Sequence, residues 1–135
     1  MKTDKYDNYY MKIAELTASN SKALRNKVGC VIVKNNNILS YGWNGTPHGF
    51  NNKCEDKDNN TLPYVIHSEI NAICKLAKST VSADGATMYI TLSPCFNCAL
   101  AIIQSGIKKI VYLNEYRDTR PLDILRKAKI VVIKL

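Results

Sequence analysis

The chain has 135 residues, of which 46% are hydrophobic and 22% are charged, and this composition is typical of one globular domain with a single core. No apolar run approaches the roughly 18 residues of a membrane span, and the N-terminus mixes acids, amides and tyrosines where a secretory signal would be apolar, so we expect a cytoplasmic protein, of a cell or of an infected host. The formal net charge of +8 suits a partner with phosphates, but the 19 Lys and Arg residues are scattered, and a solvated basic surface is the simpler explanation.

The first half of the chain predicts a helix followed by a hairpin. Residues 4–19 carry apolar side chains at helical spacing. Two apolar runs, 28–33 and 38–43, flank an Asn-rich turn, which indicates two antiparallel strands. Residues 44–63 are rich in Asn, Gly, Pro and charge and predict a long loop, with the run CEDKD as its solvated tip. A loop of this length in a small domain is usually functional or disordered.

The second half of the chain alternates helices and strands. Apolar positions predict a helix over 67–78, a strand over 87–92, a helix stopped by Gly106, a strand over 108–113, a helix from 120 and a final strand over 129–135. Helical crossovers make this part of the sheet largely parallel and place helices on its faces. The predicted fold is a single α/β domain over residues 1–135 with a mixed sheet of about five strands.

Two of the five cysteines lie three residues apart, in the segment SPCFNC at 93–98. An odd number of irregularly spaced cysteines does not fit a secreted disulfide framework, so reduced thiols or metal ligands are expected. Ser93 is a good N-cap and Pro94 suits the first helical position, which would place Cys95 and Cys98 in the first turn with both sulfurs on one face. A helix N-terminus stabilises thiolate, the form that binds metal.

A histidine and an acid begin the preceding predicted helix. His67 and the two thiolates would form a Cys₂His zinc site with one open position, which is typical of catalytic zinc. Glu69 could take a proton from zinc-activated water and deliver it to a leaving group. Residues two apart on an ideal helix point in nearly opposite directions, so His67 and Glu69 can share a site only at the helix end. This H-x-E…P-C-x-x-C order is the signature of zinc-dependent nucleobase deaminases.

The chain also contains the segments VGCVIV, YGWNGTPHGF, LPYVIHSEINAI, MYITLSPCFNCALAIIQSGIKKIVYL and EYRD. Together, over about residues 28–118, they resemble the deoxycytidylate deaminase family. The resemblance implies a cytidine-deaminase-like three-layer α/β/α fold and zinc-dependent hydrolysis of dCMP to dUMP and ammonia, which supplies dUMP for thymidylate synthesis. It implies that His67, Cys95 and Cys98 bind zinc and that Glu69 protonates N3 and then the amino group. It further implies a homo-oligomer, often a hexamer, with dCTP activation, dTTP inhibition and possible Mg²⁺ at the effector.

The same resemblance implies substrate contacts. Asn44, with Gly45 and Thr46 beside it, would bind the sugar hydroxyl, and Tyr116 would lie near the cytosine ring. A simple turn asparagine and a core tyrosine are the alternatives. The 5′-phosphate needs a cation, and the candidates are the basic residues near the predicted loops: Lys22, Arg25, His48, Arg117 and Arg120.

Two positions depart from the family's pattern. Ser68 replaces the usual alanine of His-Ala-Glu and is expected to point away from the chemistry, and His48 replaces an arginine or a small residue. Cys30, Cys54 and His48 could form a second, structural zinc site, but they lack the paired spacing of such sites, so one zinc ion is expected. Cys74 lies on the apolar face of its helix and is expected to be a core residue.

Two other functions remain open. The +8 charge is compatible with a deaminase of tRNA or single-stranded DNA, whose binding would depend steeply on salt. A non-catalytic zinc-binding or nucleotide-sensing protein is the other alternative, but it would not need Glu69 beside an open metal position. A small deoxynucleotide is the expected partner, rather than nucleic acid or a membrane.

Overall fold

The computed structural model describes residues 3–135. The described chain forms helices and strands in the order α1 (Asp7–Ala18), β1 (Gly29–Lys34), β2 (Asn37–Trp43), α2 (Ser68–Ala77), β3 (Thr87–Leu92), α3 (Phe96–Gln104), β4 (Lys109–Asn114), α4 (Arg120–Lys127) and β5 (Val131–Lys134). No helix within residues 3–135 has the length and apolar character needed to cross a bilayer.

The five strands form one mixed sheet in the order β2-β1-β3-β4-β5. Strand β1 is antiparallel to both β2 and β3, whereas β3, β4 and β5 are parallel to one another. The parallel half follows from the crossovers through α3 and α4, because a strand that returns after a helix enters the sheet in the same direction. The predicted mixed five-stranded sheet is confirmed.

Helices cover both faces of this sheet. On one face, Tyr10, Met11 and Ala14 of α1 pack in a cluster with sheet residues such as Val31 and Val111. On the other face, side chains of α2, α3 and α4 pack against the opposite side of the strands in a second cluster, with Ala72, Ile102 and Leu125 among its buried members. The arrangement is the predicted three-layer α/β/α fold.

Three local expectations are wrong. Helix α3 begins at Phe96 with Cys95 as N-cap, because the hydroxyl of Ser93 instead accepts the backbone N–H of Tyr116 at 2.7 Å. Cys74 is exposed, because the buried face of α2 is the row of Ser68, Glu69, Ala72 and Leu76. The CEDKD run is not a fully solvated tip, because Cys54 and Glu55 are buried.

Gly42 of β2 allows α2 to pack directly on the sheet backbone. A Cβ atom at this position would contact the carbonyl oxygen of Ser68 and lie 2.7 Å from the backbone nitrogen of Ala72. We expect Gly42→Ala to lower the free energy of unfolding by about 1–3 kcal/mol, since added volume in a close-packed interface forces the backbone to shift. Urea unfolding measures this loss.

The matched control for Gly42 is Gly45→Ala. The nearest atom to a Cβ at Gly45 is Cδ1 of Trp43, at 4.0 Å, which leaves room for the methyl group. Its unfolding free energy should therefore change by no more than about 0.5–1 kcal/mol. Equal destabilisation by the two substitutions would show that close packing of α2 is not what requires glycine at position 42.

Candidate active site

Two helix N-termini bring His67, Cys95 and Cys98 together. His67 is the N-cap of α2 and Cys95 is the N-cap of α3, and both have extended backbone angles, so their side chains lie at the helix ends. Cys98 follows in the first turn of α3 and is buried. Nδ1 of His67 lies 3.3 Å from Sγ of Cys98 and 3.5 Å from Sγ of Cys95. The two cysteines, three residues apart in sequence, therefore both place their sulfurs next to the predicted histidine.

This cluster fits a zinc ion. The three ligand atoms lie within 4.8 Å of one another. Zn–N and Zn–S bonds of about 2.0 and 2.3 Å at a tetrahedral angle would separate nitrogen from sulfur by about 3.5 Å, close to the observed separations. One imidazole and two thiolates are also ligands that zinc prefers. Three protein ligands leave a fourth position for water or substrate, as in catalytic zinc sites.

The electrostatics of the cluster favour Cys95 as its thiolate. Hydrogen bonds from Cys98 and His67 hold the pKa of the Cys95 thiol far below its usual range. The hydrogen bond with Cys95, together with burial, raises the pKa of Cys98, and the contact with Cys95 raises the pKa of His67. Cys95 is thus the thiol that is most readily available to a cation as thiolate.

Glu69 lies beside the cluster in the first turn of α2. The residue is only 3% exposed, and this burial raises the pKa of its carboxyl. His67, Glu69 and Cys95 line one cavity. His67 and Glu69 can do so because His67 is the N-cap, with an extended backbone, so its side chain does not follow the angular spacing of residues within the helix. The expectation that Ser68 points away from the chemistry is wrong: its hydroxyl donates a hydrogen bond to Oε1 of Glu69 at 2.9 Å.

A cavity of about 220 Å³ opens next to the cluster. Its walls come from the loop before β1, the long loop after β2, the start of α2 and the loops after β3 and β4. The polar side chains that give it its chemical character are Arg25, Asn44, Glu55, Glu69, Tyr116 and Arg117. Strands β3 and β4 are parallel, so their carboxyl ends meet at this edge, where α/β sheets usually bind ligands.

Four of the predicted substrate residues line this cavity: Asn44, Tyr116, Arg25 and Arg117. Both ends of the Asn44 amide already bond to the backbone, with Oδ1 accepting from Val28 at 2.9 Å and Nδ2 donating to Asn26 at 2.8 Å. Asn44 therefore braces the loop before β1, as the turn interpretation suggested, and its contact with a sugar stays a prediction.

The other five candidates, Gly45, Thr46, Lys22, His48 and Arg120, are not among the residues that line the cavity. The hydroxyl of Thr46 donates to the carbonyl of Asn51, and the backbone of Gly45 pairs with Ile66. The guanidinium of Arg120 is paired with Asp118 at 2.8 Å. Arg25 and Arg117 are thus the phosphate candidates that the structure brings to the cavity.

Sequence reasoning missed Glu55 and the role of Ser93. Glu55 lines the cavity although it belongs to a run of alternating charge in a long loop. Ser93 ties the end of β3 to Tyr116 through the hydrogen bond described above. No spacing rule marks either residue, because both depend on how distant loops fold over the end of the sheet.

An α/β/α sandwich with a His–Cys–Cys cluster and a buried acid at the carboxyl edge of its sheet defines the class of zinc-dependent hydrolases with an open metal position. The family model described as "Cytidine and deoxycytidylate deaminase zinc-binding region" matches residues 4–114. The chain belongs to this deaminase family.

Individual relatives are similar over most of the chain. The deoxycytidylate deaminase of Enterobacteria phage T4 is 36% identical, over 93% of this chain and 87% of the phage protein. That of Saccharomyces cerevisiae is also 36% identical, but this chain spans only 44% of its length. The crystal structure of dCMP deaminase from the cyanophage S-TIM5, in complex with dCMP and dUMP, is 46% identical, superposes with a TM-score of 0.95 and is covered completely.

Proposed function

We propose that the chain hydrolyses dCMP to dUMP and ammonia and so supplies dUMP for thymidylate synthesis. The observation that carries this proposal is the cluster of His67, Cys95 and Cys98 beside buried Glu69, next to a cavity of about 220 Å³. The S-TIM5 enzyme, which is 46% identical and was captured with dCMP and dUMP, supports the choice of substrate.

Within this proposal, His67, Cys95 and Cys98 hold the zinc ion. Bound there, zinc supplies a Lewis acid that makes water a nucleophile at neutral pH. Glu69 would carry two protons in turn: it takes one from the attacking water and gives it to N3 of cytosine, then takes the second from the new C4 hydroxyl and gives it to the amino group. The C4–N bond then breaks, ammonia leaves and the C4 oxygen becomes the carbonyl of dUMP. Its buried position suits this role, since burial raises the pKa of the Glu69 carboxyl and so favours uptake of a proton from water.

The remaining walls of the cavity orient the nucleotide. We assign the cytosine ring to Tyr116, whose ring lies 5.8 Å from the guanidinium carbon of Arg117. Arg117 and Arg25 are the cations at the cavity, so we assign the 5′-phosphate to them. Asn44, with Gly45 and Thr46 next to it, would order the neighbouring loop and approach the sugar.

The test is ammonia release by the zinc-loaded protein from dCMP, dCTP, deoxycytidine and single-stranded DNA, with a chelator-treated control. We expect zinc-dependent turnover of dCMP at least about tenfold above the other three, because a correctly bound phosphate adds charge-assisted hydrogen bonds. Preference for single-stranded DNA would instead support a polynucleotide deaminase. Zinc binding without turnover of any of the four would support a nucleotide sensor.

We further propose that the chain works in the cytoplasm as a homo-oligomer, with a hexamer as the expected form. Several large apolar side chains are exposed and would gain by burial between subunits; they include Leu24, Leu16, Tyr9, Phe50 and Leu100. The five free thiols suit a reducing compartment. Regulation by dCTP, with Mg²⁺, and by dTTP stays part of this proposal and is tested by adding each to the dCMP assay.

A further inference from the structure

Ser93 joins the segment that carries Cys95 to the segment that carries Tyr116 and Arg117. It is the residue after β3 and lies two positions before Cys95. It lines the cavity but is only 3% exposed, and its hydroxyl oxygen accepts the backbone N–H of Tyr116 at 2.7 Å. The reaction proposed above uses neither this hydroxyl nor its hydrogen bond.

The hydroxyl bond continues the pairing of β3 and β4 beyond the ends of the two strands. Leu92 pairs with Asn114 in the parallel ladder, and the backbone N–H of Ser93 donates to the carbonyl of Asn114 at 2.9 Å. Tyr116 lies two residues past the end of β4, and the side chain of Ser93, rather than a strand carbonyl, is the partner of its N–H. Removal of the hydroxyl should therefore release Tyr116 and leave the backbone bond to Asn114 in place.

A second contact fixes the far end of residues 116–120. The guanidinium carbon of Arg120 lies 5.2 Å from the centroid of the Phe96 ring, at the start of α3. The same guanidinium donates from Nε and Nη2 to the two carboxylate oxygens of Asp118, at 3.0 and 2.8 Å. Because the far end is held in this way, the hydroxyl bond of Ser93 is what determines the position of the near end.

The near end carries the side chain that we assign to the phosphate. The guanidinium carbon of Arg117 lies 5.8 Å from the centroid of the Tyr116 ring, within the roughly 6 Å of a cation–π contact. Arg117 is exposed, and no carboxylate within residues 3–135 forms an ion pair with it. Its backbone is therefore the main constraint on where the guanidinium can reach. A fixed backbone lowers the entropy cost of binding an anion with such a side chain.

We propose that Ser93 is a positioning residue that makes the site prefer a nucleotide to a nucleoside: its hydroxyl holds the backbone of Tyr116 and thereby places Arg117 at the 5′-phosphate. This inference rests on the proposed deamination of dCMP and on the assignment of the phosphate to Arg117. A nucleoside has no phosphate, so it gains nothing through Arg117. Because Ser93 lies two residues before Cys95, the same bond sets the position of the phosphate contact relative to the metal cluster.

The first test compares dCMP with deoxycytidine in the variant Ser93→Ala. We expect kcat/KM for dCMP to fall roughly five- to tenfold, mainly through a higher KM, as is usual when a hydrogen bond that orders a binding group is lost. The value for deoxycytidine should fall by less than about twofold, since no phosphate contact is at stake. Ser93→Thr keeps the hydroxyl and should restore the preference for dCMP. An equal loss on the two substrates in Ser93→Ala would overturn the proposal.

A double variant shows whether Ser93 acts through Arg117. In the background of Arg117→Gln, adding Ser93→Ala should lower kcat/KM for dCMP by less than about twofold, because the group that the hydroxyl positions is already absent. If the two losses multiplied independently, Ser93 would act on another part of the site and the proposal would be wrong.

The matched control is Ser79→Ala. The hydroxyl of Ser79 also accepts a backbone N–H, that of Val81 at 3.1 Å, but it follows the C-terminal end of α2 and is not among the residues that line the cavity. This variant should keep the wild-type preference for dCMP over deoxycytidine. Thermal unfolding of all variants shows whether any of them has lost its fold.

Amide hydrogen exchange and ligand binding separate this proposal from the proposed reaction, because neither requires turnover. The Tyr116 amide should be protected in the wild type and should exchange at least about fivefold faster in Ser93→Ala, with the amides of β4 unchanged. In calorimetric titrations, the variant should bind dUMP roughly five- to tenfold more weakly and deoxyuridine less than about twofold more weakly. These results would support the role of Ser93 even if dCMP is not deaminated. An unprotected Tyr116 amide in the wild type, or equal weakening for the two ligands, overturns it whatever the kinetic assays show.

Discussion

Replacing Glu69 with alanine is expected to lower kcat for dCMP by about 10²- to 10⁴-fold, the usual contribution of a positioned acid–base group. Zinc content should not change, because the ligand atoms belong to His67, Cys95 and Cys98. The physical reason is the position of the carboxyl, which is buried at the cavity beside the cluster and has a raised pKa. Ammonia release and metal analysis on the same preparation measure both quantities.

Two variants calibrate the effect of Glu69. Glu15→Ala removes an exposed acid from α1, on the opposite face of the sheet, and should leave kcat unchanged. Ser68→Ala keeps the Glu69 carboxylate but removes its hydrogen-bond donor, so we expect a smaller loss, about tenfold or less. Turnover in Glu69→Ala within about tenfold of the wild type would contradict the role of Glu69 as proton carrier.

The parts of the site that sequence predicted are those set by local structure. His67 and Glu69 begin one helix, and Cys95 and Cys98 begin another, and helix N-termini leave recognisable residue patterns. The strand and helix order then brought the two ends together, because β3 is followed by α3 in a parallel crossover. The predicted start of α3 was wrong by two residues. The predicted metal site was not affected, since Cys95 and Cys98 remain three residues apart at the start of the helix in either case.

The parts that sequence could not predict depend on contacts between distant segments. Glu55 is separated by about thirty residues from the N–H groups that it binds, and Ser93 by 23 from Tyr116. Hydrophobic periodicity contains no information on such contacts, because these residues lie outside helices and strands. Ser68 was missed for another reason: its side chain contacts the residue next to it, and only the burial of both made that contact relevant.

The residues for the chemical step and the residues for substrate binding lie on different parts of the structure. The metal ligands and Glu69 are fixed at the ends of two packed helices, where burial and hydrogen bonds hold their geometry. Arg25, Asn44 and Arg117, which would bind the substrate, come from loops that other loops brace. Substitutions in the loops should therefore alter which nucleotide is bound more than the chemical step, whereas substitutions at the helix ends should do the reverse.

Replacing Cys98 with alanine is expected to weaken zinc binding by more than about 100-fold, because even groups that only support zinc ligands contribute 10- to 100-fold. Cys98 is buried in the first turn of α3 and its sulfur lies 3.3 Å from Nδ1 of His67, so its removal takes away one of the three ligand atoms of the cluster. Loss of zinc should also abolish turnover of dCMP and lower the melting temperature, since a metal that binds only the folded state stabilises it. Competition with a chromogenic chelator measures the affinity.

Cys74→Ala is the matched control for Cys98, because it removes an exposed thiol from α2 that lies outside the cluster. It should keep zinc, turnover and melting temperature. If Cys98→Ala also kept its zinc, the metal would be bound elsewhere, and the closeness of His67 to the two sulfurs would reflect packing alone. If instead it lost zinc but still deaminated dCMP at the wild-type rate, zinc would be structural and the proposed reaction would need another source of nucleophile. Joint loss of zinc and turnover in Cys98→Ala, beside loss of turnover alone in Glu69→Ala, is the pattern that a catalytic zinc site requires.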